Sequence, residues 1–436
     1  MEDVERAFRQ AHGQAVATLA RLFGDLTLAE DAVQDAFVTA MARWPADGVP
    51  DNPPGWIVTT ARNRAVDFVR RERRGRQLAE QAAAEDRRTS MINMPHEATE
   101  LVDDPLPDDQ LRLIFTCCHP ALRVEHQVAL TLRLVAGLTS AEVAAAFLVS
   151  EDTMAKRLVR AKHKIKVAHI PYRVPDAADL PVRLRAVLAV LYLIYNAGAD
   201  DVGRRDLRAE AIRLTRVLVG LMPGEPEATG LLALMLLSDA RMPARGDAAR
   251  VVLLREQDRS LWDPSLVAEG QELVLACLRR RRLGPFQLQA AIQALHCAAP
   301  RFEDTDWAAI VRFYDRLLAV MPTPVVALNR AVAVGEIDGP EVGLAVLDDL
   351  ASDLDGYHLL HAARGSMLER LGRTAEAADA NGRAAALART DAADSFLTRR
   401  HDELTTGAST PDVAATPSDI GAPGRLTRDA SARITD

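Results

Sequence analysis

Three stretches of this chain combine residue types and spacings that could do chemistry. The first is Ala29-Glu30-Asp31-Ala32-Val33-Gln34-Asp35-Ala36-Phe37. Asp31, Gln34 and Asp35 stand at i, i+3 and i+4, so a helix gathers them on one face, separate from the apolar face of Val33, Phe37, Ala40, Met41 and Trp44. An acidic and amide face can dock on a basic helical partner, or it can be an ordinary solvated face. The second stretch runs from Trp56 to Arg74. Ile57, Ala61, Ala65 and Phe68 form a packing stripe, while Asn63, Asp67, Arg70, Arg71 and Arg74 form another at i, i+4, i+7, i+8 and i+11. Between 62 and 76, seven Arg stand against Asp67 and Glu72, a local charge of +5. Such a face can neutralise phosphates, its Asn can hold a base, and Trp56 can stack on an unpaired one. The competing reading makes Trp56 a core anchor and the arginines a solubilising helix end.

The third stretch carries the most pattern. Thr139-Ser140-Ala141-Glu142 is a capping box before an apolar helix through Val143, Ala144, Ala146 and Phe147. A short turn, Leu148-Val149-Ser150, offers Ser150 as the N-cap of a second helix from Glu151 to about Lys166. Met154, Leu158, Ala161 and Ile165 line its packing face, and Thr153, Lys156, Arg157, Arg160 and Lys164 line another. From 151 to 173, seven Lys or Arg against Glu151 and Asp152 give +5. Helix, tight turn and a second helix with a basic stripe make a helix-turn-helix, whose second helix enters the major groove. The alternative is a plain helical hairpin with a basic second helix.

The elements that must position these residues are helices. With 48% hydrophobic but only 4% aromatic residues, the cores must be built from Ala, Leu and Val, and β-branched runs bounded by turn signals are scarce. The fold class expected is all-α. The 436 residues suggest roughly three domains. A basic-ended helical domain covers 1–80. An acidic, proline-containing linker covers 81–109, with six acidic residues and no Lys or Arg from 89 onward. The helix-turn-helix domain covers 110–170, a helical extension 182–404, and a Thr/Ser/Pro-rich tail expected to be disordered 405–436. Late in the extension, Arg330 and Arg364, and Leu350 and Ala384, stand 34 apart. That period fits tetratricopeptide-like hairpins, or two ordinary hairpins of similar length.

Several function classes find no support. The formal net charge of -8 hides the basic patches. Cys117, Cys118, Cys277 and Cys297 form no CxxC pair, which fits a reducing cytoplasm. Cys117-Cys118-His119 is too tightly spaced for zinc and reads as a buried thiol pair. His296-Cys297 reads as core, and Gln257-Asp258-Arg259 with Trp262-Asp263 as a hydrogen-bonded turn. No Walker loop, dinucleotide loop or nucleophile elbow is present, so neither an enzyme, a cofactor nor a metal is expected. The apolar run Ala186 to Tyr195, ten residues, is short of a membrane span of about 20.

Taken in order, the three stretches resemble the paired domains of sigma factors. Residues 29–37 are similar to the segment that binds the polymerase clamp helices. Trp56-Ile57 and Ala61 to Arg71 are similar to the stretch that melts and recognises the promoter -10 element. Gly137-Leu138-Thr139 through Lys164 is similar to the domain that reads the -35 element. The short linker resembles the minimal extracytoplasmic-function group. Leu113 to Leu122, Leu231 to Leu237, Gln257 to Asp263 and Ala327 to Val334 resemble a subgroup with a tetratricopeptide-like C-terminal extension. The resemblance implies a cytoplasmic sigma factor that binds core RNA polymerase through Asp31, Gln34 and Asp35. It implies -10 contacts from Trp56, Asn63, Asp67, Arg70, Arg71 and Arg74, and -35 contacts from Thr153, Lys156, Arg157, Arg160 and Lys164. The extension would modulate activity through a protein or peptide partner. The sequence departs from the subgroup at Asn196-Ala197-Gly198-Ala199 and at Asn381-Gly382, where a loose final hairpin is expected. Two rivals remain: a ligand-sensing repressor that binds duplex DNA alone, and a scaffold with no salt-dependent DNA affinity.

Overall fold

In a computed structural model of the chain, residues 2–84, 107–147, 149–199, 205–245, 251–280, 283–388 and 391–406 are described. Among them every α-helix or shorter helical turn is accounted for by nineteen α-helices and a few 3-10 or π turns, and no strand occurs. The chain divides into two compact units, one up to Val190 and one from Leu191.

The first unit opens with α1 (Glu2–Phe23), α2 (Leu26–Asp47) and α3 (Pro53–Ala84). Asp25 caps α2, its side chain accepting from the backbone N–H groups of Thr27 and Leu28 at 2.8 and 3.2 Å. These three helices pack on one another through Ala, Val and Leu positions such as Val16, Leu19, Val33, Ala36, Ile57 and Ala61, all buried. Then come α4 (Pro107–Cys117), α5 (Val124–Leu130), a π-helical turn (Thr131–Val135), α6 (Ser140–Ala146), α7 (Glu151–Val167) and the start of α8 (Leu180–Ala199). The linker expected over 81–109 and the tail over 405–436 lie largely outside the described residues. Helix α1 packs against α4 and the π turn as well as against α2 and α3, so both basic stretches belong to one packed body.

Two apolar residues assigned to packing faces are not there. Met41 and Phe68 are each 55% exposed. The buried face of α2 is Ala29, Ala32, Val33, Ala36, Phe37, Ala40 and Trp44, and Met41 turns off it. On α3 no residue from Val66 to Arg74 is buried, so Phe68 lies where the helix has outrun its packing partners.

The second unit continues with α9 (Arg205–Leu221), α10 (Pro226–Ala240), α11 (Pro264–Arg279), α12 (Pro285–Ala298), α13 (Trp307–Val320), α14 (Pro324–Ile337), α15 (Pro340–Asp349), α16 (Ala351–Leu354), α17 (His358–Arg370), α18 (Thr374–Ala386) and α19 (Asp391–Thr406). Helix α10 is buried nearly all round, from Leu231 to Leu237, and α9, α11 and α12 pack on it. Helices α14 and α17 start 34 residues apart (324 and 358), as do α15 and α18 (340 and 374). Gly335 and Gly343 let α14 and α15 cross closely: a Cβ on Gly343 would lie 2.9 Å from Gly335 Cα. The hairpin expected to be loose is instead tied. Asn381 is 3% exposed and donates to Glu369 at 3.0 Å, and Gly382 lies where His401 leaves room for no larger side chain without a shift.

Within α8, Leu180–Gly198 has a mean hydropathy of 1.4 and is long and apolar enough to cross a membrane by length and composition. Leu184, Val187, Leu188 and Val190 are buried, as in a core helix of a folded unit.

Candidate nucleic-acid interface

The helix-turn-helix forms as its caps require. Thr139 Oγ1 accepts from the Glu142 N–H at 3.1 Å, and the Glu142 carboxylate accepts from the Thr139 N–H at 2.7 Å, closing the capping box on α6. Ser150 Oγ accepts from the Thr153 N–H at 3.3 Å and starts α7. Met154, Leu158, Ala161 and Ile165 are buried against the rest of the unit. That fixes which face of α7 is left for a partner.

On the outer face, Lys156, Arg160 and Lys164 are exposed. Lys156 also pairs with Asp152 one turn earlier, at 2.6 Å, with both side chains more than half exposed. Thr153 is exposed, but its hydroxyl is engaged with Ser150 Oγ at 2.8 Å. Arg157 is half-buried, its guanidinium 5.1 Å from the centre of the Phe147 ring, so it also braces α7 on α6. His126, on α5, is held below the ordinary histidine range by partial burial and by the cations Arg157, Arg123 and Arg160. Arg123, Arg157 and Arg160 thus gather around His126 beside α7.

On α3, Asn63, Asp67, Arg70, Arg71 and Arg74 are all exposed on one side of the helix. Trp56 is not beside them in an open position. It is half-buried and meets Trp44 edge to face, with ring centres 5.4 Å apart, anchoring the start of α3 on α2. Arg64 reaches Thr39 at 3.4 Å and reinforces the same contact.

On α2, Asp31 and Asp35 are exposed and Gln34 is half-buried. Partial desolvation, with the negative charge of Glu30 next to it, pushes the Asp31 carboxyl above its usual range. Asp31 and Asp35 share an outward face with the exposed Val38 and Met41, a mixed acidic and apolar surface.

A group that sequence reading passed over lies just behind this face. Glu30 is 5% exposed. It accepts from Arg133 Nε at 2.5 Å and from Lys162 Nζ at 2.9 Å. Burial alone would raise its pKa, but Lys162 and Arg133 outweigh that and hold the carboxyl below the ordinary range. Arg133 also donates to the Leu138 carbonyl at 2.7 Å. The one available signal was position: Lys162 follows Ala161 and precedes Ile165 by three, at the edge of the packing face of α7.

The cysteine pair is structural. Cys117 and Cys118 are fully buried, and burial pushes the Cys118 thiol up to about 12 and Cys117 well up as well. Among the described residues, no group of three or more His, Cys, Asp or Glu is placed to hold a metal ion. His296 is buried edge to face against Trp307, 5.3 Å between centres. Arg259 lies in a 3-10 turn capped by Asp258 and donates to the His296 and Ala299 carbonyls at 2.7 and 2.5 Å, the hydrogen-bonded turn expected from sequence.

Comparison with known proteins places these elements. Residues 7–75 match the family described as Sigma-70 region 2, and residues 112–165 match Sigma-70, region 4. Residues 183–278 match a family of unknown function, DUF6596. A protein of Rhizobium meliloti (strain 1021), described as uncharacterized, is 42% identical over 408 residues, covering 92% of this chain and 96% of its own. Region 2 contains α2 and the basic part of α3, and region 4 contains the helix-turn-helix. The chain belongs to the sigma-70 family of RNA polymerase sigma factors, as an extracytoplasmic-function-like member that carries a helical C-terminal extension, and it directs promoter recognition by core polymerase.

Proposed function

We propose that the three exposed faces divide the work of initiation in the cytoplasm. Asp31, Gln34 and Asp35 on α2 contact the polymerase clamp. Asn63, Asp67, Arg70, Arg71 and Arg74 on α3 hold the opened -10 strand, with Trp56 positioning the helix through Trp44. Lys156, Arg160 and Lys164 on α7 contact phosphates of the -35 duplex, with Thr153 and Arg157 at the same groove. No bond is made or broken by the chain. Its output is binding energy summed over two DNA sites and one protein surface. Domain limits of 1–80, 110–170 and 182–404 fit this division.

The observation that carries the reading is the pairing, in one chain, of an exposed basic stripe on a doubly capped helix-turn-helix with a second exposed basic stripe on α3. A repressor needs only the first. The extension acts as the regulatory part. The 34-residue spacing of its last helix pairs supports a tetratricopeptide-like array, whose concave face would take a protein or peptide.

The test is equilibrium binding to core RNA polymerase by the full chain and by the Asp31→Arg/Asp35→Arg variant. Tight binding by the parent and loss in the variant, with helix content unchanged, supports the clamp assignment. Equal binding by both moves the contact off α2, and absence of binding by the parent sinks the reading.

A further inference from the structure

Helix α5 packs against α7 and brings a titratable group to the edge of the basic stripe. The Arg123 carbonyl accepts from the His126 N–H at 2.9 Å, so Arg123 and His126 stand one turn apart on the same side of the chain. Arg157 and Arg160 are spaced likewise on α7, and both lie close enough to the His126 ring to act on its charge, as does Arg123. Arg123 and Arg160 are exposed, while His126 and Arg157 are half-buried. Among the described residues none of these three arginines pairs with a carboxylate, and the His126 ring makes no hydrogen bond to the protein.

The other charges on the elements packed around α5 are already matched. On α4, Arg112 pairs with Asp109 at 3.6 Å, and Arg133 of the π turn pairs with Glu30 at 2.5 Å. On α7, Lys156 pairs with Asp152. Glu125, beside His126 on α5, is the one acid that favours the charged ring. Partial burial and the cations Arg157, Arg123 and Arg160 oppose it and prevail, so the imidazole of the free chain is neutral near pH 7. A group so placed is sensitive to any anion that enters the cluster. In a helix-turn-helix the second helix lies in the major groove and the flanking elements cross the phosphate backbone. Arg160 belongs to the exposed stripe of α7, and the ring beside it is at that backbone.

We propose that His126 is a proton-linked phosphate contact: it is neutral in the free chain, takes up one proton from solvent when duplex DNA docks on α7, and makes that binding tighter as pH falls. The inference rests on the reading of α7 as the duplex-contacting helix and adds a residue and a pH dependence to it. A phosphate held by Arg123, Arg157 and Arg160 offsets the positive charge that keeps the ring neutral, and the imidazolium then donates to the phosphate. Because linkage is reciprocal, whatever favours the protonated ring favours the bound DNA by the same factor.

The experiment is fluorescence anisotropy of a labelled duplex of mixed sequence with the full chain, at about pH 8 and about pH 6 and across a range of salt. Phosphate contacts do not depend on sequence, so no promoter is needed. The parent should bind about three- to tenfold more tightly at the lower pH, since one proton contributes at most about tenfold per unit. Its slope of log K against log salt should steepen by up to about 0.9, the value of one further phosphate contact. His126→Gln should lose both changes. His126→Lys, charged throughout, should show the low-pH affinity and slope at either pH, which a misfolded domain could not do. His163 is an exposed histidine of α7 itself, and His163→Gln should keep the pH dependence of the parent. Equal affinity and slope at both pH values, a dependence that survives His126→Gln, or one that vanishes with His163→Gln overturns the proposal and leaves the helix-turn-helix reading standing. A parent that fails to bind the duplex even at low salt overturns that reading as well.

Discussion

Replacing Lys156, Arg160 and Lys164 together by Gln should weaken promoter binding in a way that depends steeply on salt. All three are exposed on the outer face of α7, while Met154, Leu158, Ala161 and Ile165 hold the helix from the other side. The substitutions therefore leave the core intact and should change stability by no more than about 0.5 kcal/mol each. Lys156 loses its exposed pair with Asp152, an interaction of about 0.3–0.5 kcal/mol at i, i+4. Each phosphate contact contributes about 0.9 to the slope of log K against log salt, so three contacts contribute roughly 2.7. Over a fourfold rise in salt, from about 50 to about 200 mM, the parent should lose roughly 40-fold more affinity than the variant. Fluorescence anisotropy of the holoenzyme on a labelled promoter duplex, repeated across that salt range, reads the slope. Equal slopes with matching thermal melts would refute the assignment of α7 as the duplex-contacting helix.

Further outcomes follow from the same geometry. Gly137→Ala should destabilise the first unit by about 2–4 kcal/mol in a thermal or urea melt, because φ is +82° and the new methyl would stand 2.9 Å from His12. Ser150→Ala should lower stability by about 1 kcal/mol through loss of the α7 cap, while Thr139→Ala should do the same for α6. The folded-state pKa of Glu30 is depressed because Lys162 and Arg133 outweigh the raising effect of its burial. Its stabilisation is therefore full above the unfolded carboxylate value of about 4.3 and is lost as pH falls through the lower folded value. Melts of the parent and of Glu30→Gln from neutral pH down to the acid limit should converge at the acid end, and curves that stay parallel would contradict the pairing.

Local signals carried much of this fold into view. The capping box at Thr139 and the cap at Ser150 are patterns of a few adjacent residues, and both form as written. The exposed stripes on α3 and α7 follow from helical periodicity alone. Periodicity fails where a helix runs past its partners, which is why Phe68 and Met41 are at the surface. It also cannot say that Trp56 meets Trp44, since nothing local marks an edge-to-face contact between two helices. The Glu30 pairs join residues 103 and 132 positions apart, and no short-range pattern encodes such a contact. What sequence offered at Glu30 was only an acidic neighbour of Asp31. Its burial depends on Arg133 of the π turn and Lys162 of α7 closing over it, a tertiary fact. In the extension, Gly382 looked like a weak point by helix propensity, but the Asn381–Glu369 bond and the close approach of His401 supply the context that propensity lacks.

The most direct test of promoter recognition is run-off transcription with core RNA polymerase, the purified chain and fragmented DNA from its host. Specific transcripts that require the chain, and that vanish with Asp31→Arg/Asp35→Arg, are what a sigma factor using α2 as its clamp surface predicts. A chain that shifts duplex DNA unaided yet neither binds polymerase nor yields any dependent transcript would contradict it.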